Sequence, residues 1–251
     1  MIIPSMLPRF YAPHIDAGLA LVALPPDEAR HLTRVLRLGA GDEVAVFDGR
    51  GAEFRAVVET AVRDAASLRV IAALPAAGAP SSSVVVVQSV LKGSSMDEAI
   101  RDATMMGAEA IDPVLTAHAD VKTSWSRRPE TVGRWRRVAL ASVKQSRRAT
   151  LPVISEPRSL EAWLQASAID LKLVFVEPAI GIDAIPMHSL LARDRPQRLA
   201  VLLGPEGGWA EREIELAVHA GSVPVTLGPL TIRAESMAVA ALAAVAALWQ
   251  T

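Results

Sequence analysis

A set of short, unbroken apolar runs constrains this chain's fold more than any other feature. Val84-Val85-Val86-Val87 is four β-branched residues in a row, and Leu199-Ala200-Val201-Leu202-Leu203 is a second such run. A strand with one wet face alternates apolar and polar residues; an uninterrupted run must be covered on both faces. That is the condition of a strand inside a parallel sheet flanked by helices. Leu173-Val174-Phe175-Val176 and Val223-Pro224-Val225-Thr226-Leu227 predict two further strands. From Ser95, the residues Met96, Ala99, Ile100, Ala103, Met106, Gly107 and Ala110 recur at intervals of three and four, which predicts an amphipathic helix. Helices are also expected over 210–220 and 234–248. Strands alternating with helices in this way define an α/β domain with a largely parallel sheet.

The first part of the chain reads differently. Glu43–Phe47, Glu53–Val58 and Ser67–Ile71 are short β-rich runs, and the Asp48-Gly49 step between the first two suits a tight hairpin. Gly49-Arg50-Gly51 is not a dinucleotide fingerprint, because Phe54 stands where the third glycine belongs. Pro25-Pro26-Asp27 followed by 28–38 predicts a short helix with Leu32, Val35 and Leu36 on one face. A small, mostly β barrel over residues 1–74 is expected, then a linker over 75–83 with two prolines, a glycine and three serines. Residues 84–251 then form the α/β domain.

Composition excludes several classes. With no cysteine, disulfides, thiolate metal sites and cysteine nucleophiles are impossible. The five histidines have no zinc-ligand spacing, so no metal is expected. The longest apolar run, Met237–Trp249, is thirteen residues, whereas a membrane span needs about 20. With no secretory leader in Met1-Ile2-Ile3-Pro4, a soluble cytoplasmic protein is expected. The net charge of −1 conceals an uneven distribution. Residues 121–150 hold nine basic side chains (Lys122, Arg127, Arg128, Arg134, Arg136, Arg137, Lys144, Arg147 and Arg148) and one acid, Glu130. That segment carries +8, and a merely solvated face would mix signs. It is the electrostatic footprint of a phosphate-backbone binder. With aromatics at 4%, a row of stacking side chains is not expected.

Two glycine-bearing loops follow predicted strands near the C-terminus: Leu202-Leu203-Gly204-Pro205-Glu206-Gly207-Gly208-Trp209 and Leu227-Gly228-Pro229-Leu230-Thr231-Ile232-Arg233-Ala234-Glu235-Ser236. Glycines at a strand-to-helix junction let backbone approach a ligand at the carboxyl edge of the sheet. No Gly-Lys-Ser/Thr is present, and Glu206 would repel a phosphate, so a ligand with cationic character fits better. The second loop leads into a helix in which eight of the fifteen residues 234–248 are alanine. Such a helix suits a crowded core or a dimer interface.

These two motifs together, with the alanine-rich helix after them, resemble the knotted methyltransferases of the SPOUT superfamily. More narrowly, the chain resembles the bacterial 16S ribosomal RNA (uracil-N3)-methyltransferase family. The likeness extends through Arg9-Phe10-Tyr11, the segment His31–Leu38, Phe47-Asp48-Gly49, Lys92-Gly93 to Met96-Asp97, and Lys144-Gln145-Ser146-Arg147-Arg148. Ala234 departs from it, since the family often has threonine there.

The resemblance implies a C-terminal trefoil-knot α/β domain, an N-terminal PUA-like RNA-binding barrel and a homodimer. It also implies S-adenosylmethionine as methyl donor and 16S rRNA in the small subunit as partner. Donor-binding residues carried over are Glu177, Pro178, Leu203, Gly204, Pro205, Glu206, Gly207, Gly208, Leu227, Gly228, Leu230, Ile232 and Ser236. Uracil N3 must lose a proton, so an arginine that stabilises the resulting anion is wanted. Arg233 is the leading candidate, with Glu235 as base or loop anchor, Glu206 as a further base candidate, and Arg9 as a third catalytic candidate. Arg9, Arg34, Arg37, Lys92, Lys144, Arg147 and Arg148 are the expected RNA contacts. Methylation of a pyrimidine at carbon 5 commonly needs a cysteine adduct, which this chain cannot form; nitrogen and ribose oxygen remain as acceptors. A related enzyme acting on transfer RNA or a ribose hydroxyl, and a non-catalytic RNA-binding assembly protein, are the alternatives.

Overall fold

The computed structural model describes residues 7–15, 20–75, 82–120, 128–178 and 183–249. The chain divides into two units, one of Met1–Gly78 and Val143–Leu151, the other of Ala79–Ser142 and Pro152–Thr251. Residues 76–81 of the expected linker lie outside the described residues, and Ser83 already begins a strand.

In the first unit, strands β1 (Arg9–Tyr11), β2 (Leu21–Ala23), β3 (Glu43–Phe47), β4 (Glu53–Val62) and β5 (Ala65–Leu74) form one sheet. Their order is β1-β3-β4-β5-β2, so among the described residues β1 and β2 are edges of the ladder. The β3–β4 hairpin turns at Asp48-Gly49 as expected, with Val46 opposite Phe54 and Gly49 at φ 76°. Phe10, Leu32, Val44, Val46, Ala56 and Leu68 fill the core.

The helix expected over 28–38 differs. A short helix, α1 (Pro26–Arg30), passes into a π-turn over His31–Val35, with the Leu36 N–H bonded to the His31 carbonyl. The wider i→i+5 closure rotates later residues off the 3.6 spacing. Leu32 is buried, while Val35 and Leu36 face solvent. A second difference is the membership of 143–151. The Gly51 N–H donates to the Ala149 carbonyl and the Leu151 N–H to the Gly49 carbonyl, so this late segment extends the hairpin turn of the first unit.

The second unit runs β6 (Ser83–Ser89), α2 (Ser95–Met105), β7 (Ala110–Leu115), α3 (Pro129–Ser146), β8 (Val153–Ile154), β9 (Arg158–Ser159), α4 (Leu160–Ala166), β10 (Leu171–Phe175), β11 (Ile185–Pro186), a 3-10 turn (Met187–Ala192), β12 (Arg198–Leu203), α5 (Glu211–His219), β13 (Ser222–Thr226) and α6 (Ala234–Trp249). The last turn of α3 falls in the first unit. The strand order is β11-β13-β10-β12-β6-β7-β8, with β9 beside β7. All these pairings are parallel.

The valine run behaves as an uninterrupted strand must. Val84 and Val86 pack with Ile100, Trp135 and Leu242 on one face of the sheet. Val85 and Val87 pack with Trp163 and Ile214 on the other. Helices therefore cover both faces of this sheet. No helix among the described residues is long and apolar enough to cross a membrane.

Candidate active site

Strands β13, β10 and β12 are parallel neighbours, with Phe175 opposite Val225 and Val174 opposite Leu202. Their carboxyl ends open at one edge, where the chain continues as loops 176–178, 204–210 and 227–233. Open α/β sheets bind ligands at such an edge. Between the loops lies a cavity of about 360 Å³, within the usual range for small-molecule sites, about 300–1,000 Å³.

Of the expected donor-binding residues, Glu177, Pro178, Gly204, Pro205, Glu206, Gly208, Leu227, Leu230 and Ile232 line this cavity, together with Arg233 and Glu235. Leu203, Gly207, Gly228 and Ser236 do not. Leu203 ends β12 with its side chain in the sheet core, and Gly207 packs against His118. Ser95, Phe175, Val176, Trp209, Thr226, Thr231, Ala234 and Met237 complete the wall and are not among the expected donor-binding residues. Trp209 was within reach of sequence reasoning, since it closes the first glycine motif. Ser95 was not, because it comes from α2, more than a hundred residues away in sequence.

The glycines of the first loop have intramolecular reasons as well as a bearing on the ligand. A Cβ on Gly204 would lie 3.0–3.3 Å from the indole of Trp209. That indole is buried, with its Nε1–H donating to the Phe175 carbonyl at 2.9 Å, so it has little room to yield. A Cβ on Gly207 would lie 3.0 Å from His118 Cβ. Gly208 adopts φ 70°, in the left-handed region that favours glycine. One glycine would therefore not suffice even for a turn without a ligand.

Among the described residues, three carboxylates (Glu177, Glu206 and Glu235) and one guanidinium (Arg233) meet at the cavity. Arg233 Nε lies 2.7 Å from Glu235 Oε1; the arginine side chain is 82% exposed and the glutamate 12%. Glu235 thus fixes one side of the fork and leaves the Nη end outward. Glu206 Oε1 accepts the Lys92 backbone N–H at 3.1 Å, which fastens the glycine loop to the chain after β6. That commitment weighs against Glu206 as a proton acceptor. Lys92 Nζ is paired with Asp120 at 2.7 Å on the surface, and this hydrogen bond holds the ammonium above its ordinary range.

The expected RNA contacts separate by environment. Arg9 is a structural residue. Its Nε and Nη2 donate to Glu53, Nη1 donates to the Val143 and Lys144 carbonyls, and Nη2 also reaches the Arg148 carbonyl. A guanidinium has five N–H donors, all engaged here, so none is left for RNA or for a reacting base. Lys144 donates to both oxygens of Glu28, and Arg34 pairs with Asp64. Arg37 and Arg147 are exposed. Arg148 is half-buried, and burial pushes its guanidinium down from its usual range. Lys122 and Arg127 lie outside the described residues. Elsewhere in the basic segment, Arg134 meets Asp97 and Arg136 meets Glu156. The acids missing from the segment are supplied by distant sequence.

Known proteins place this arrangement. The RNA methyltransferase domain matches residues 79–246, and the RNA methyltransferase PUA domain matches 24–71. Ribosomal RNA small subunit methyltransferase E of Synechocystis sp. is 31% identical over 92% of this chain and 75% of its own length. The protein of that name from Mycobacterium bovis is 31% identical over 95% of this chain and 91% of its own. A solved ribosomal RNA small subunit methyltransferase E from Neisseria gonorrhoeae, bound to S-adenosyl methionine, superposes with a TM-score of 0.86. It is 27% identical over 97% of this chain and 98% of that one. With its cavity at the carboxyl edge of a parallel sheet and a PUA-like unit before it, this chain belongs to the ribosomal RNA small subunit methyltransferase E family.

Proposed function

We propose that this protein transfers a methyl group from S-adenosylmethionine to N3 of a uridine in 16S ribosomal RNA of the small subunit. The observation that carries the reading is the cavity of about 360 Å³, walled by both glycine motifs and by Glu177-Pro178. It occurs in a chain whose Neisseria gonorrhoeae relative is bound to S-adenosyl methionine.

The residues present fit such a donor. Phe175, Val176, Trp209, Leu227, Ile232 and Met237 offer an apolar lining, and the carboxylates outnumber the single guanidinium. A sulfonium cation is favoured by that excess of negative charge, as any cation is beside opposite charge. When bound, the donor supplies a methyl already activated for displacement. The protein must hold the acceptor base against it, an effect worth up to about 7–11 kcal/mol in well-oriented systems. Glu235 holds Arg233 by its Nε, so the outward Nη end can stabilise the anionic uracil ring as it forms. Removing a comparable donor costs about 10²–10³ in turnover. Arg233→Ala should therefore lose turnover on that scale while donor affinity, read by calorimetry, changes little. Equal losses in both would make Arg233 a pocket-shaping residue instead.

A homodimer belongs to the same reading. Helix α6 is apolar on almost every side, yet Val239, Ala243 and Ala247, spaced by four, are exposed. A helix that is hydrophobic all round is normally buried, and a second copy of this chain would bury that stripe. A cytoplasmic location follows from the substrate.

The deciding experiment incubates the protein and labelled donor with small subunits lacking the modification, then maps the methylated atom. Label at uracil N3 of 16S RNA is expected. Label on a ribose hydroxyl or on transfer RNA would replace the acceptor, and donor binding without transfer would leave a non-catalytic RNA-binding protein.

A further inference from the structure

The structure assigns Arg50, held in place by Asp48, as a phosphodiester-binding residue of the PUA-like unit. Arg50 lies in the β3–β4 turn and carries no role in the reading above, although the assignment rests on RNA being the substrate. One carboxylate fixes both its main chain and its side chain. Asp48 Oδ1 accepts the backbone N–H groups of Arg50 at 2.7 Å and Ala52 at 3.0 Å, while Oδ2 accepts Arg50 Nε at 3.1 Å. The Asp48 side chain is 8% exposed and that of Arg50 is 69% exposed. A buried anchor thus presents an open fork, with Nε occupied and the Nη end unpaired among the described residues.

The turn itself is stiff. A Cβ on Gly49 would lie 2.8 Å from Leu151 and 2.9 Å from Tyr11, so the chain is pressed against both. Backbone hydrogen bonds from Gly51 to Ala149 and from Leu151 to Gly49 fasten its two sides. Arg50 shares an open concavity with Pro13, His14 and Phe54, so the fork borders a recess and not a flat surface. Three other arginines of this unit lack the combination. Arg9 has no donor left, Arg34 spends an Nη on Asp64, and Arg69 is held by Glu59, itself 45% exposed. A pre-oriented guanidinium end matches two phosphate oxygens at once, which a lysine cannot do.

The test measures affinity for unmodified 16S RNA across a salt series, with donor affinity read separately by calorimetry. Arg50→Ala should bind RNA about tenfold more weakly, with the slope of log affinity against log salt shallower by about 0.7–0.9. Arg50→Lys should keep the slope and recover only part of the affinity. Asp48→Asn is the sharper variant. Its amide oxygen can still accept the turn's N–H groups, but its NH₂ cannot accept Arg50 Nε. RNA binding should weaken although the protein has become more positive, and donor affinity should not change. RNA affinity unchanged in Arg50→Ala, or raised in Asp48→Asn, overturns the assignment; melting curves identify any variant that has lost its fold, and Arg50→Gln then replaces it. A parent protein with no affinity for the RNA would strike the substrate reading instead.

Discussion

The guanidinium of Arg9 lies between Glu53 and the carbonyls of Val143, Lys144 and Arg148, with both partners of the ion pair about nine-tenths buried. Removing one member of a buried pair leaves the other charge uncompensated, at about 3–5 kcal/mol. Arg9→Ala should lower unfolding stability on that scale in a denaturant titration; a loss below about 1 kcal/mol would mean that Glu53 finds another partner. Gly204 answers to packing in the same way. Gly204→Ala sets a methyl against an indole that cannot retreat, and overpacking of that kind costs about 1–3 kcal/mol. Because Gly204 and Trp209 both line the cavity, donor affinity should fall together with melting temperature. Asp48 gives a prediction in pH. Burial is the largest single influence and raises its carboxyl, but the hydrogen bonds from Arg50 and Ala52 together outweigh it and leave the group below 3.8. A lowered folded-state value means a contribution to stability that is complete above 3.8 and lost as pH falls through the depressed value. Parent and Asp48→Asn stabilities should therefore converge in acid, and a gap independent of pH would show that the charge is not what matters.

At the scale of elements, the second unit was the more legible from sequence. Strands and helices with strong periodicity appear near where the pattern puts them: β6, β12 and α6 lie within two residues of their predicted bounds, whereas α2 ends at Met105, short of Gly107 at φ 100°, and Ala110, the last position of its predicted spacing, opens β7. Short elements with little internal pattern, such as β1, β8, β9 and β11, did not declare themselves, because two or three residues form a strand only when a neighbour's ladder is waiting. The π-turn over His31–Val35 was likewise invisible: apolar spacing reports a regular helix and not a change in hydrogen-bond closure. Helix α6 carries the prediction that belongs here. If a second copy covers its exposed stripe, Val239→Glu should shift sedimentation from dimer to monomer at micromolar concentration and depress methyl transfer with it. A parent protein that sediments as a monomer would remove the dimer from the proposal.

Across the whole molecule, the net charge of −1 is the sum of a basic segment and an acidic remainder. Tertiary structure then neutralises part of that segment, by setting Glu28 against Lys144, Asp97 against Arg134 and Glu156 against Arg136. RNA affinity should still fall steeply with salt, but with a slope smaller than nine basic residues would give, since a paired side chain releases few counterions from RNA. The sequence by itself determined the α/β class, the need for helices on both sheet faces and the loops that wall the cavity. Burial of uninterrupted apolar runs and the backbone demands of glycine are local properties that any fold of this chain must satisfy. Only the tertiary structure decided that Arg9 is an internal tie, that Ser95 joins the cavity wall, that 143–151 belongs with the first unit, and that Asp48 aims Arg50. Those outcomes depend on which groups meet across forty to more than a hundred residues of chain, or on which way a short turn points. An arginine in sequence looks the same whether a carboxylate or a phosphate awaits it.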